Sequence, residues 1–156
     1  MPGSRPPRWR GRKESGLGML RAILDTNVVV SGIRSKRGSA FELLRLLGLR
    51  RWTLVLSNTL LTEYQEVLHR GQPSLPFTHE EIERFLDSLC HRAEQRRPSF
   101  PWWPVLSDSD DEAMVRLAIE GRVDYLVTHN VRHLRPAQSL KVRVVPPGEF
   151  LQELRK

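Results

Sequence analysis

The chain lacks the features that mark secreted and membrane proteins. Its 156 residues include one cysteine, Cys90, so it can form neither an intrachain disulfide nor a zinc site built from paired cysteines. No apolar run approaches the roughly 20 residues that a membrane-spanning helix needs, and the N-terminus lacks the apolar core of a signal peptide. We therefore expect a protein of a reducing compartment, the cytoplasm, without membrane association.

The length and composition are those of one folded domain with an uneven charge. Hydrophobic residues make up 39% of the chain, enough for a single core, and the net charge of +7 suits a polyanionic partner. Much of this charge falls in residues 1–19, a Pro- and Gly-rich stretch that we expect to be a disordered tail. If Met19 is the true start, the tail is a gene-start artefact. The folded domain is expected at 20–152, with 153–156 as a C-terminal tail.

Strands and helices alternate along the rest of the chain. Short apolar runs predict strands, and segments with apolar residues at helical spacing predict the helices between them. The predicted strands are Arg21–Asp25, Thr53–Leu56, Tyr125–Thr128 and Val142–Val145. The predicted helices are Ser39–Leu49, Asn58–Arg70, Thr78 to about Cys90, Asp110–Glu120 and Gly148–Leu154, with a proline-broken connector at Arg96–Leu106 and a turn at Val131–Leu134. This alternation predicts an α/β fold, a three-layer α/β/α sandwich with a central, mainly parallel sheet.

Asp25 stands where the first predicted strand ends and is followed by the polar pair Thr26 and Asn27. Ionised carboxylates are rarely buried without a partner, and ligand sites in α/β sheets lie beyond the carboxyl ends of the strands. Both facts make Asp25 a candidate metal ligand. The alternative is that Asp25 or Thr26 caps a helix beginning near Asn27, and this position alone does not decide between the two.

Glu63 and Glu66 occupy different faces of the predicted helix Asn58–Arg70. At about 100° per residue, apolar side chains such as Tyr64 and Leu68 define one face. Glu63 falls at the edge of that face, whereas Glu66 lies nearly opposite. A metal ligand on a packed helix has to point inward, which favours Glu63 as a site residue and Glu66 as a surface charge. The alternative for Glu63 is a charge that merely borders the core.

A run of acids leads into the helix predicted after the connector. Asp111 shares a helix face with the apolar Met114, whereas Glu112 is rotated away from that face. An acid on the buried face of a helix N-terminus is placed to meet other carboxylates, and Asp108 just ahead of the helix could also approach them. The alternative is local, since Ser109 and Glu112 fit a capping box and acids in a first turn complement the helix dipole.

Polar and basic residues near these acids complete the candidate site. Thr128 and Asn130 follow the third apolar strand and offer oxygens that ligate a cation weakly or hold a water bound to it. The alternative is a turn, which Asn favours after strands. Arg34, Lys36 and Arg37 are expected in a loop after the first motif, a position that suits contacts with nucleic-acid phosphates. His129 and His133 are further candidates for phosphate contacts, with ordinary turn positions as the alternative.

The motifs ILDTNVVVSG, VLSNTLLTEYQEVL and SDSDDEAMVRLAIEGRVDYLVTHNVRHL occur in this order. Together they resemble the PIN-domain family, in particular its toxins of toxin–antitoxin pairs, over roughly residues 20–152. The resemblance implies a metal-dependent ribonuclease with a parallel sheet between helices. It also implies that Asp25, Glu63 and Asp111 are the first three acids of the family's site.

The chain departs from the family pattern at Asn130, where many members have a fourth acid. The resemblance therefore implies a weaker second metal site, although the amide can still position water. Thr128 matches the polar residue before this position, and Asn27 is a second supporting residue. The predicted catalytic residues are Asp25, Glu63, Asp111 and Asn130, the predicted metal ligands are Asp25, Glu63, Asp111 and Asp108, and the predicted RNA-binding residues are Arg34, Lys36, Arg37 and His129.

Mg²⁺ or Mn²⁺ is the expected cofactor because hard cations prefer carboxylate oxygens and water. Clustered carboxylates repel each other unless a cation neutralises them. The cation activates a water and stabilises charge on the phosphodiester that is cleaved. This hydrolysis does not need the ribose 2′-hydroxyl, so a preference for RNA has to come from the shape and contacts of the groove.

Three function classes remain open. The first is an endoribonuclease that acts as a toxin and is neutralised by a partner antitoxin, with a homodimer as a further option. The second is a non-catalytic PIN-like module that binds RNA or protein, which the amide of Asn130 keeps open. The third is a metal-dependent phosphatase of the haloacid dehalogenase type. That chemistry needs another Asp two residues after Asp25, and Asn27 stands there instead.

Overall fold

The computed structural model describes residues 18–71, 74–97, 109–134 and 142–156, with residues 109 and 110 described by their backbone alone. Predictions for the tail before residue 18, for residues 98–106 of the connector and for Asp108 lie outside these residues. The strands are β1 Arg21–Leu24, β2 Thr53–Leu56, β3 Ala93–Gln95, β4 Tyr125–Val127 and β5 Val144–Val145. The helices are α1 Thr26–Arg34, α2 Ser39–Gly48, α3 Asn58–Arg70, α4 His79–Arg92, α5 Ser109–Glu120, α6 Val131–Leu134 and α7 Pro147–Leu154.

The five described strands form one sheet in the order β3-β2-β1-β4-β5, and every pairing is parallel. Helical segments of the chain separate consecutive strands, as crossover connections between parallel strands require. The predicted three-layer α/β/α sandwich with a parallel sheet is therefore confirmed. In the part of the chain that the structure describes, no helix is both long and apolar enough to cross a membrane.

β1 lies at the centre of the sheet and is buried on both faces. Ala22, Ile23 and Leu24 are all fully buried, in agreement with the continuous apolar run that predicted this strand. Its neighbours β2 and β4 are parallel to it, and Leu24 pairs with Val127 at the carboxyl ends of β1 and β4. The residues that follow β1 and β4 are therefore brought together at the carboxyl ends of the strands.

β3 is a strand that the sequence prediction missed. Its residues Ala93, Glu94 and Gln95 form no apolar run, because β3 is an edge strand and is only partly buried. An ion pair fixes its position: the guanidinium of the buried Arg21 contacts the Glu94 carboxylate and donates a 2.6 Å hydrogen bond to the Gly121 carbonyl. The apolar pattern carries no signal for a strand held in this way.

Three further differences separate the predicted elements from the observed ones. The helix α1 begins at Thr26, next to the start near Asn27 that the helix-cap alternative predicts, but it includes Arg34, which the sequence pattern places in a loop. The turn predicted at Val131–Leu134 is the short helix α6. The last strand is shorter than predicted: it comprises Val144–Val145, and the predicted residues Val142 and Arg143 lie before it.

α1 packs closely against α2 at Gly32. A Cβ atom at this position would lie 2.6 Å from Leu44 Cδ1 and 3.1 Å from the Ala40 carbonyl oxygen. Because a contact below 3 Å would force the neighbouring side chain to shift, glycine allows the two helices to approach. This packing holds α1, which carries Asn27 and Ser31, beside the carboxyl ends of the strands.

Candidate active site

Asp25 and Thr128 lie side by side where β1 and β4 end. The backbone N–H of Asp25 donates to the Val127 carbonyl at 2.8 Å, so the pairing of the two strands continues to this point. The Thr128 hydroxyl is fully buried and donates a 2.7 Å hydrogen bond to Asp25 Oδ2. The parallel register of β1 and β4 thus places a polar donor against the first predicted acid.

Asp25 occupies the N-cap position of α1, but its side chain makes no capping hydrogen bond. The helix-cap alternative for this side chain is therefore wrong. Burial raises the pKa of the Asp25 carboxyl, and the hydrogen bond from Thr128 opposes that rise. A carboxylate that folding keeps half-buried and does not use as a cap is available to a positively charged ligand.

Glu63 reaches the same region from α3. The hydroxyl of the buried Thr26, the first residue of α1, donates a 2.7 Å hydrogen bond to Glu63 Oε2. Glu63 is half-buried and Glu66 is exposed, in agreement with the faces that the helical wheel gave them. The carboxylate of Glu63 is therefore bound to Thr26, the residue that directly follows Asp25.

Tyr64 ties α3 to the end of β1. Its side chain is fully buried and its hydroxyl donates a 2.5 Å hydrogen bond to the Leu24 carbonyl oxygen. Burial raises the pKa of Tyr64 well above its usual value, and the nearby charges of Asp25 and Glu63 raise it further. The hydroxyl thus remains a neutral donor, and it fixes the helix that carries Glu63 against the strand that leads into Asp25.

Asp111 approaches from the first turn of α5. Its carboxylate Oδ2 lies 3.6 Å from Nε2 of His133 in α6, and 19% of the Asp111 side chain is exposed. Met114 and Ala118 on the same helix are buried, as the predicted apolar face requires. Asp111 therefore sits at the margin of the core, within reach of solvent and of a histidine.

The segment after β4 is bound to α1 by contacts that involve Asn27 and Ser31. The backbone N–H of His129 donates to Asn27 Oδ1 at 3.3 Å, and the His129 ring nitrogen Nε2 lies 2.8 Å from the Ser31 hydroxyl. The Asn130 N–H donates to the Thr128 hydroxyl at 3.0 Å. Ser31 is the residue that sequence reasoning missed. Its spacing of one helical turn from Asn27 is the signal that could have indicated it.

These groups line one open cleft of about 620 Å³. Residues from α1, α3 and α5 meet there with the segment after β4. The lining residues are Asp25, Thr26, Asn27, Val30, Ser31, Arg34, Glu63, Val67, Asp111, His129, Asn130 and His133. Of the predicted phosphate-binding residues, Arg34, His129 and His133 line the cleft, whereas Lys36 and Arg37 are exposed outside it.

The donor set of this cleft fits a hard divalent cation. Three carboxylates from three separate parts of the chain line the same space, and two of them are held by hydroxyl donors, Asp25 by Thr128 and Glu63 by Thr26. Carboxylate oxygens and water are the ligands that Mg²⁺ and Mn²⁺ prefer. A divalent cation would also balance the negative charge that these three carboxylates bring to the cleft.

Comparison with protein families shows which family the chain belongs to. A family model described as PIN domain matches residues 21–132, which include Asp25, Glu63 and Asp111. The chain therefore belongs to the PIN-domain family. No curated protein matches the sequence.

Among solved structures, one similar chain comes from the crystal structure of VapBC2 from Rickettsia felis bound to a DNA fragment from their promoter. The two chains are 20% identical, with a TM-score of 0.56, over 80% of the present chain and 97% of the other. At this level of identity the similarity concerns the fold.

Proposed function

We propose that this protein is a metal-dependent endoribonuclease and the toxin of a toxin–antitoxin pair. The observation that carries the proposal is the convergence of Asp25, Glu63 and Asp111 on one open cleft of a PIN-domain fold. PIN domains are generally nucleases, and a cleft lined by three carboxylates has the ligands that nuclease metals need.

The carboxylates of Asp25, Glu63 and Asp111 would hold Mg²⁺ or Mn²⁺, and Asp108 is a fourth candidate ligand on the basis of the sequence alone. A bound cation of this kind activates water and stabilises negative charge on a phosphodiester. The chain's own contribution is to position the ligands. Thr128 fixes Asp25 by its 2.7 Å hydrogen bond, and Thr26 fixes Glu63 in the same way.

The exposed groups of the cleft suit the phosphates of RNA. Arg34 in the last turn of α1 brings a positive charge to the cleft, which His129 and His133 also line. Arg34 and His129 are therefore better RNA-binding candidates than Lys36 and Arg37, which lie outside the cleft. Asn130 lines the cleft without adding charge, and we assign it the positioning of water or of a phosphate oxygen.

The proposed partner is an antitoxin encoded beside the gene. This part of the proposal is an analogy with VapBC2, whose structure contains an assembly bound to promoter DNA and one chain with this fold. The toxin role implies action on cellular RNA in the cytoplasm, and a homodimer is compatible with it. Co-expression with the product of a neighbouring small reading frame is expected to suppress RNA cleavage.

The alternative of a non-catalytic PIN-like module rests on one specific residue, Asn130. An amide in place of an acid removes a negative charge from the cleft and weakens any second metal position. The phosphatase alternative has lost its basis, because the chain belongs to the PIN-domain family and Asn27 supplies no second carboxylate.

A cleavage assay tests the proposal and separates it from the alternative. The purified chain is incubated with single-stranded RNA of mixed sequence in Mn²⁺, and in parallel with EDTA. We expect cleavage with Mn²⁺, none with EDTA and none for Asp25→Asn, while the exposed control Glu66→Gln keeps parent activity. RNA that binds but stays intact with every divalent cation would identify the non-catalytic module instead.

A further inference from the structure

A second group of potential metal ligands lies outside the cleft, between α3 and α4. One atom each of His69, His79 and Glu83 can be chosen so that all three lie within 4.8 Å of one another. Among the described residues, no other group of three histidine, cysteine or acidic side chains has its potential ligand atoms all within this distance of one another. The acids of the cleft do not meet this criterion, so the two places differ in geometry as well as in ligand type.

The helices bring these residues together by a simple repeat. His79 and Glu83 are four residues apart on α4 and share one helix face, and the same holds for Gln65 and His69 on α3. α3 and α4 pack against each other. Two side chains from each helix therefore face one another near the C-terminal end of α3 and the N-terminal end of α4.

The individual contacts orient the group. His69 Nε2 lies 2.5 Å from Glu83 Oε2, and the rings of His69 and His79 are stacked with their centroids 4.3 Å apart. Gln65 donates a 3.1 Å hydrogen bond to the same carboxylate oxygen. The other ring nitrogen of His69, Nδ1, is buried and has no hydrogen-bond partner in the described residues, so Nε2 is the atom that a ligand can reach.

We infer that His69, His79 and Glu83 form a binding site for a transition-metal ion of the zinc class, separate from the carboxylate cleft. Two imidazoles and one carboxylate are a ligand set typical of Zn²⁺ rather than of Mg²⁺. Bonds of about 2.0–2.2 Å place such ligands roughly 3–4 Å apart, so an ion would replace the direct contact between His69 Nε2 and Glu83 Oε2, and the stacked rings would turn toward it. Gln65 would hold the carboxylate ligand, as outer partners do in metal sites.

The exposure of the group gives an ion access from solvent and a route for its exchange. His79 is exposed and the side chain of Glu83 is 37% exposed, whereas His69 is more deeply placed, with 21% exposed. Three protein ligands leave the fourth position of a tetrahedral ion to water. The bound ion would connect the end of α3 to the start of α4 and so stabilise the packing of these helices.

Calorimetric titration of the metal-free full chain with Zn²⁺ tests this inference. We expect His79→Ala and Glu83→Gln each to lower the affinity for one equivalent of zinc by at least about tenfold. Even the loss of an outer partner of a metal ligand lowers metal affinity by roughly 10- to 100-fold. His91→Ala is the matched control, because His91 is an exposed histidine of the same helix whose Nδ1 lies 3.0 Å from the Asp87 carbonyl oxygen. It should bind zinc like the parent.

Asp25→Asn separates this site from the carboxylate cleft. The variant should retain the zinc equivalent that His79→Ala loses, whether or not the nuclease proposal is correct. Zn²⁺ should also raise the melting temperature of the parent and of His91→Ala more than that of His79→Ala. Unchanged zinc affinity in His79→Ala and Glu83→Gln, no zinc binding by the parent, or loss of the zinc equivalent in Asp25→Asn alone would overturn the inference.

Discussion

The fully buried Thr128 hydroxyl donates a 2.7 Å hydrogen bond to Asp25 Oδ2, although the two residues are 103 positions apart in the chain. The first acid of the cleft is therefore oriented by a neutral donor that directly follows the neighbouring strand β4. This contact gives Thr128 a positioning role that is distinct from direct contact with a metal or with RNA.

Thr128→Val should lower RNA cleavage by roughly 10- to 100-fold, the range observed when outer partners of metal ligands are lost. The substitution keeps the shape of the side chain and removes the hydroxyl that Asp25 and the Asn130 N–H share. Steady-state cleavage rates at several Mn²⁺ concentrations measure the effect. Thr128→Ser retains the hydroxyl and should restore most of the activity, and parent-like rates for Thr128→Val would remove the positioning role.

Asp25→Asn should abolish cleavage and leave the apo protein as stable as the parent or more stable. Burial raises the pKa of Asp25, which means that folding disfavours the ionised carboxyl that is present at neutral pH. The neutral amide avoids this cost. The cleavage assay tests the predicted loss of activity, and melting temperatures in EDTA test the predicted stability. A large drop in melting temperature would contradict the predicted stability.

Glu63→Gln should lower activity at least tenfold, which corresponds to about 1.4 kcal/mol of transition-state free energy. Glu66→Gln should change activity very little, because Glu66 is exposed and lies outside the lining of the cleft. Parallel measurement of the two variants under one set of conditions makes each the reference for the other. Equal losses would show that the two faces of α3 do not differ in function.

Local patterns were sufficient to predict the elements that carry the acids. α3 was predicted with its observed ends, because Ser57 caps it and its apolar side chains repeat at helical spacing. The same spacing correctly predicted that Glu63 is partly buried and that Glu66 is exposed. The end of β1 was predicted within one residue from its apolar run. These features depend on near neighbours in the chain, which a single sequence reveals.

Contacts between distant segments could not be predicted in this way. β3 is held at the sheet edge by the pairing of Glu94 with Arg21, and neither residue belongs to an apolar pattern that would indicate it. The contact of Ser31 with His129 joins α1 to the segment after β4 and depends on the packing of the whole sheet. The group of His69 and Glu83 likewise exists only because α3 and α4 pack together.

The central claim is that the carboxylates of the cleft bind a divalent cation, and a thermal titration with Mn²⁺ tests it most directly. A ligand that binds only the native state stabilises it by RT ln(1 + [L]/Kd), about 2.7 kcal/mol at one hundred times Kd. Increasing Mn²⁺ should raise the melting temperature of the parent, Asp111→Ala should reduce that rise, and Glu112→Ala should retain it. Mn²⁺ that leaves the parent unchanged, or equal responses from Asp111→Ala and Glu112→Ala, would contradict the claim.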